Sequence, residues 1–554
     1  MIRHALTHGL AALEPADKRL LKGAFGAALA ALAIGIVWGA VTALVRAGFI
    51  ALDPLAGYRA LTGHAVSIFF YWLYFAQAGL LLAFAAAYTA PARGIAWRPL
   101  AWVGTALMLA GFGANLYAVQ TGMPMLYDAP PDLAGGPSAG AAAFYGGYLL
   151  LAVGLLCVAA AAVATALRPR AAGEIAGWSV VSFACCAWAG LLMVSAIAAA
   201  YAFLPAARWA LGLGPLPADH ATSWHILFHN MHYLPLMATV LVWYVLMEAL
   251  TGVQSVFGAR FSKIVFATYL VFVPPTSLYH MFLEPDLAES VRVLGSLLSL
   301  FISVPTVTVF LVIVASLEVH ARGAGARGLF GWIRMLPWAN PAMSAIGFAV
   351  VNLALGGALS FVLIQEKLAP LLSDTFFVPG YFHFLTVGTV TLTFLAALVY
   401  ALPALTGRPA WRPDLLRWLP HLATAGLALF GTAGVAAGYL GVPRRVLDVA
   451  YDGAAPAQWA TLMGVVGVGG ALMSAAVLAF ALALAANLWP AAPSRVAHIA
   501  PPEVDWAGPA APAARAWTGP LAVLVLIGIT VAFTVLSFEL LRALPLLASG
   551  SAAH

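Results

Sequence analysis

The chain has 554 residues, of which 63% are hydrophobic and only 8% charged, with a mean hydropathy of +0.96. A soluble domain carries about a quarter charged residues, so the composition excludes a soluble globular enzyme. The net charge of +6 is spread thinly over short loops, which excludes a nucleic-acid-binding surface. Apolar runs long enough to cross a ~30 Å hydrocarbon core recur from end to end. The expected fold class is an all-α polytopic membrane protein embedded in a lipid bilayer, with about thirteen transmembrane helices.

In chain order the spans fall near 24–46, 64–90, 97–120, 142–167, 176–206, 222–250, 261–283, 288–318, 339–366, 380–404, 418–440, 457–488 and 517–547. Lys18, Arg19 and Lys22 precede the first span, which is too long for a signal-peptide apolar region and is read as retained. Basic residues return at every second loop: Arg93 and Arg98, Arg168 and Arg170, Arg260 and Lys263, Arg322, Arg327 and Arg334, then Arg408, Arg412 and Arg417. The positive-inside rule therefore places the N-terminus in the cytoplasm and the C-terminus outside. Residues 1–489 form a core of about twelve of these helices. Residues 490–516, rich in Pro and Ala, read as a cytoplasmic linker, and 517–554 as a peripheral thirteenth helix with an outer tail. Cys157, Cys185 and Cys186 lie inside apolar spans without zinc spacing, so they read as small buried hydrophobes.

Thirteen histidines carry most of the functional signal. His4, His8, His498 and His554 fall in tails or the linker and are read as solvated. His320 and His421 fall at span ends, and His220 in an outer loop. His64, His225, His229, His232, His280 and His383 all fall, by topology and a rise of ~1.5 Å per residue, in the outer third of the membrane. Ionisable groups are costly at that depth and point to function. His225, His229 and His232 share one helix face through i, i+4, i+7 spacing. Imidazole is the usual ligand of haem iron and copper, so a cofactor cluster near the outer face is the economical reading. Phe377-Val378-Pro379-Gly380-Tyr381-Phe382-His383 stands where a polar loop turns into an apolar helix. Two residues are roughly 200° apart on a helix, so Tyr381 and His383 serve different pockets at one depth.

With these residues in view, the chain resembles subunit I of the heme–copper oxygen reductases, and within them the B-type (ba-type) cytochrome c oxidase branch. The similar stretches are Arg327–Arg334 continuing through Leu336-Pro337-Trp338 to Asn340-Pro341, then Val378-Pro379-Gly380, Phe382-His383 and Val442-Pro443-Arg444-Arg445. The resemblance implies the subunit I bundle and a low-spin haem b held by His64 and His383, with Arg444 and Arg445 meeting its propionates. It also implies that His229 and Tyr233 are the His-x-x-x-Tyr pair in which a copper-ligating histidine is joined to a tyrosine. Tyr244, Thr306 and Thr308 suggest an inward polar track for protons.

Two positions depart from the family. Tyr279-His280 stands where the family has two adjacent copper-ligating histidines, and Tyr381 stands where it has the histidine of the high-spin haem. Copper and a second, high-spin haem are therefore open expectations, with Tyr381, Tyr279, His229 and His280 as candidate ligands. The copper reading also competes with an empty site, or with completion by His225, His232 or Glu284. A phenolate can hold haem iron and, being anionic, favours the ferric state. The function expected is an oxidoreductase subunit that takes electrons through the bis-His haem to an altered site reducing dioxygen, nitric oxide or another small oxidant. The alternatives are an electron-transfer cytochrome b and a haem scaffold. No Cys-x-x-Cys-His motif is present, so a cytochrome c or quinol donor and a subunit II-like or cytochrome partner are expected. The expected location is the bacterial inner (plasma) membrane, with the C-terminus periplasmic.

Overall fold

The computed structural model describes residues 5–121, 135–217, 220–274, 303–364, 368–449, 451–453 and 455–488. Thirteen principal helices run through them: α1 Ala5–Ala12, α2 Pro15–Arg46, α3 Pro54–Thr89, α4 Arg98–Thr121, α5 Ala139–Ala171, α6 Val180–Ala210, α7 His220–Thr251, α8 Gly258–Phe272, α9 Ser303–Gly323, α10 Pro341–Leu363, α11 Phe377–Thr406, α12 Pro413–Tyr439 and α13 Ala457–Ala485. Eleven helices among the described residues are long and apolar enough to cross a membrane. The chain is thus a multi-pass membrane protein. Helix α8 is the described part of the seventh expected span. The linker and the thirteenth span lie outside the described residues.

Helix starts follow local chemistry. Asp53 accepts a hydrogen bond from Ala56 N at 3.1 Å, and Pro54 opens α3, the usual pairing of an acidic cap with a proline at the first helical position. Helix α3 thus begins ten residues before the apolar run used to place the second span, and His64 sits three turns inside it. Ser138, Ser179 and Asn340 cap α5, α6 and α10 in the same manner.

Buried aromatic side chains set the middle of the bundle. The most apolar stretch of α3 is 100% buried, against 28% for α10 at the periphery. Trp72 donates to Thr391 Oγ1 at 3.0 Å and Trp243 to Thr393 Oγ1 at 2.8 Å, while Tyr74 donates to Met231 O at 2.9 Å. These bonds tie α3, α7 and α11 together at the centre. Helix α2 packs on α3 and α13, and α12 on α13, α11 and α10. Gly438 of α12 has no room for a Cβ, which would overlap the backbone of Phe377. The first turn of α11 therefore rests on the α12 backbone.

Two expectations for histidines change. Helix α1 packs on α3 and α11 with Leu6 and Leu10 fully buried, so His8 is half-buried on a docked helix and not in a solvated tail. His220 is the first residue of α7, buried beside the Tyr145 ring, and not part of a loop.

Candidate functional site

The candidate site lies between α3 and α11. His64 and His383 each direct Nδ1 at a backbone carbonyl: Gly35 O at 2.8 Å for His64, and Pro379 O, one turn back, at 2.7 Å for His383. A ring held this way donates its Nδ1–H and presents Nε2 as a lone-pair donor. The two rings are 6.1 Å apart between centroids and within 11° of parallel. Two metal–imidazole bonds of about 2 Å, plus about 1 Å from each nitrogen to its ring centre, give about 6 Å. Both rings keep accessible surface although they lie deep among the helices, as do Tyr233, Tyr381 and Phe382. Ring orientation, spacing and free nitrogens thus fit a bis-imidazole iron site.

The fit depends on α2. Gly35 supplies the carbonyl, and Gly39, one turn on, lets the ring approach: a Cβ there would stand 2.6 Å from His64 Nδ1. Phe430 of α12 closes the other side, 4.5 Å from the His383 ring. Both histidines are followed by a π-helical segment, Val66–Trp72 in α3 and Phe384–Thr391 in α11. Such segments are rare and concentrate at functional sites.

A short antiparallel bridge, Thr375 to Pro443, brings the loop after α12 to the start of α11. Within it Arg444 donates Nη2 to Asp374 Oδ1 at 3.0 Å, and its backbone N–H donates to Asp374 O at 2.9 Å. Arg444 is half-buried and Arg445 exposed. Arg46, at the end of α2, joins this group: its Nη2 donates to Pro443 O and its guanidinium lies 5.3 Å from the Phe376 ring centroid. Among the described residues its buried Nε and Nη1 have no hydrogen-bond partner. Burial raises the phenol of Tyr451, outside the spans, above its ordinary range, and the nearby Arg46 charge opposes that rise. Sequence reasoning missed Arg46. An arginine at the outer end of the first span, against the inside bias of the other basic residues, was the available signal.

Tyr381 lies on the far side of α11 from His383, within electrostatic reach of Arg444 and of Tyr233 on α7. His232 fits between the rings of Phe69 and Phe382, at 4.8 and 4.9 Å. The structure therefore brings together His64 with His383, and sets Tyr381 within electrostatic reach of Tyr233. It describes the helix that carries His225 and His229 but not their side chains, and Tyr279, His280 and Glu284 lie outside the described residues. Of the expected track, Tyr269 and Thr306 share a hydrogen bond of 2.9 Å, and Tyr244 donates to Ser262 Oγ at 3.4 Å. Among the described residues Thr308 bonds its own helix, at Val304 O.

Comparison with known proteins adds an independent line. Residues 19–472 match the family described as Cytochrome C and Quinol oxidase polypeptide I. A 265-residue stretch is 33% identical to cytochrome c oxidase subunit 1 of Thermus thermophilus, covering 46% of this chain and 46% of that protein. The match thus spans about half of that relative. A 114-residue stretch is 32% identical to cytochrome c oxidase polypeptide 1 of Halobacterium salinarum, over 21% of this chain and 19% of that one. A heme–copper terminal oxidase dimer solved by cryo-EM superposes with a TM-score of 0.80 at 20% identity, covering 95% of this chain and 92% of that one, and so shares the fold. Sequence and architecture agree, and the chain belongs to the Cytochrome C and Quinol oxidase polypeptide I family.

Proposed function

We propose that this chain is a cytochrome c oxidase subunit I-like oxidoreductase whose electrons enter at His64 and His383 and whose second site, around Tyr233 and Tyr381, is altered. The observation that carries the reading is the pair of parallel imidazoles, 6.1 Å apart, with both Nδ1 atoms anchored to backbone carbonyls. A haem b bound there supplies one-electron transfer. His64 and His383 hold its iron, while Gly35 O and Pro379 O fix each ring's tautomer and orientation. Arg46, Arg444 and Arg445 offer charge-assisted hydrogen bonds to its carboxylates.

Tyr381 takes the place of an imidazole at the second site, beside Tyr233 and Arg444. A phenol there supports an oxygen ligand to a high-spin haem. His229, Tyr279 and His280 are the residues of this chain offered to copper. The substrate of this reading is a small oxidant such as dioxygen or nitric oxide. Its electron donor is a cytochrome c or quinol acting with a subunit II-like or cytochrome partner. The orientation is N-terminus cytoplasmic and C-terminus periplasmic in a bacterial plasma membrane, residues 490–516 forming the inner linker and 517–554 the last span and tail. The replacement of histidine by Tyr381 favours one second reading, an electron-transfer cytochrome b that reduces no gas.

A reduced-minus-oxidised spectrum with and without carbon monoxide, run with a haem and copper count, decides between them. Carbon monoxide binding to a five-coordinate haem, with copper present, is expected for the oxidoreductase. One six-coordinate haem per chain, blind to carbon monoxide and without copper, leaves only electron transfer.

A further inference from the structure

Arginines at the end of the bundle opposite the histidine pair are not all employed alike. Around the α3–α4 and α5–α6 connections they are committed to partners within the protein. Arg93 pairs with Glu174, and Arg98 with Glu14 and Asp17 at 3.1 Å each. Arg168 donates to Gly94 O at 3.1 Å, and Arg170 to Ile175 O at 3.1 Å. In the loops from α9 to α10 and from α11 to α12 the pattern differs. Arg322 pairs with Glu318. The guanidinium groups of Arg327, Arg334, Arg412 and Arg417 are exposed and, among the described residues, form no ion pair or hydrogen bond. Asp414 is the one carboxylate in residues 324–340 and 407–417.

These cations sit on a tryptophan-rich surface. Trp338 donates Nε1 to Ile333 O at 2.7 Å, which folds the segment carrying Arg334 back beside it. The Trp338 ring lies on Gly347 of α10, where a Cβ would have no room. From the next residue, Phe348, ring contacts run on to α12. Phe348 lies 4.8 Å from His421, and His421 lies 5.4 Å from Trp418. The Arg417 guanidinium is 5.5 Å from the Trp418 ring centroid. The segments carrying Arg334 and Arg417 thus flank one turn of α10. Trp338 and Trp418 remain 37% and 57% exposed, as amphipathic rings at a membrane interface do. An exposed apolar strip continues from them, with Leu422 and Leu429 on α12 and Val351 and Leu355 on α10. From Arg417 to Leu429 is about 18 Å along the helix, close to half of the ~30 Å hydrocarbon core. From Arg417 to Gly438, which seats Phe377, is about 31 Å.

We propose that this surface binds one anionic phospholipid. Its phosphodiester lies between Arg334 and Arg417, and its acyl chains run along Trp418, Leu422 and Leu429 of α12 and Val351 and Leu355 of α10. Guanidinium forks match pairs of phosphate oxygens, and basic sites beside membrane helices on the cytoplasmic side select anionic head groups. The orientation proposed above puts this end in the inner leaflet. A zwitterionic lipid brings a cation of its own to four unpaired cations and gains less. The site needs no haem and no oxidant, so it stands independently of the redox reading.

The test uses the purified full chain in detergent and counts bound lipids by native mass spectrometry as phosphatidylglycerol or phosphatidylcholine is added. The wild type is expected to bind one phosphatidylglycerol about tenfold or more tightly than phosphatidylcholine. Arg334→Gln and Arg417→Gln each weaken that binding about fivefold, and the pair together roughly thirtyfold. Phosphatidylcholine binding and thermal unfolding stay at wild-type values. Arg334→Lys with Arg417→Lys keeps both charges and retains most of the affinity. Arg260→Gln, an equal loss of charge at the start of α8, leaves it unchanged. Equal affinity of the wild type for the two lipids overturns the proposal without any variant. So does wild-type phosphatidylglycerol affinity in the glutamine variants, or the same loss in Arg260→Gln, which marks a general effect of charge. Should the glutamine pair fail to fold, the single variants decide.

Discussion

Gly39→Ala is the smallest change that tests the histidine pair without touching either histidine. A Cβ at this position would stand 2.6 Å from His64 Nδ1, whereas ordinary contact begins at 3.4 Å. The ring must retreat by 0.8 Å, the difference between these distances. It cannot do so and keep the 2.8 Å hydrogen bond to Gly35 O. Losing that bond costs about 1 kcal/mol, and overpacking against the ring adds about 1–3 kcal/mol. The lower total, about 2 kcal/mol, corresponds to roughly a thirtyfold loss of occupancy. The displacement also exceeds the ~0.2 Å within which metal–ligand distances are held. The assay is a haem count and visible spectrum on purified protein, with helicity and thermal unfolding followed in parallel. Gly113→Ala is the control, because a Cβ there meets nothing within 4 Å. The expected result is loss or broadening of the low-spin bands in Gly39→Ala alone, in protein that remains folded. Full haem content with unshifted bands would show that His64 does not hold the iron.

His383→Ala removes one of the two rings and is expected to abolish the six-coordinate low-spin signal; its survival at wild-type intensity removes the pair from consideration. Tyr381→Phe deletes one hydroxyl beside Arg444 and Tyr233. If that oxygen binds iron the ferric spectrum shifts, and an identical ferric spectrum shows that it does not.

The spans could be read from hydropathy because a bilayer demands long apolar runs, and eleven of the expected spans fall on described helices long and apolar enough to cross one. The opposed facing of Tyr381 and His383 could be read too, since a 200° separation is a property of any helix. Other features are not encoded locally. The docking of α1 depends on surfaces of α3 and α11 far away in sequence. The start of α3 at Pro54 lies in a polar stretch that a hydropathy window discounts. The contribution of Gly35 and Gly39 to the ring pocket is a statement about space between helices, which spacing within one helix does not carry. Arg46 belongs to the site only because the chain returns past it at Pro443, 397 residues later.

The two π-helical segments have a consequence for how α3 and α11 can vary. Trp72 is eight positions after His64 and Thr391 eight after His383, and π segments of seven and eight residues occupy most of the first interval and all of the second. The helices are thus joined at both ends of matching intervals, by the histidine pair above and by the Trp72–Thr391 hydrogen bond below. A π segment holds an extra residue relative to an α-helical turn, so each helix undergoes the same phase slip between its two joints. Removing one residue from a single interval rotates one joint out of line with the other. Removing one from both keeps the count equal, so insertions and deletions here are tolerated in pairs or not at all.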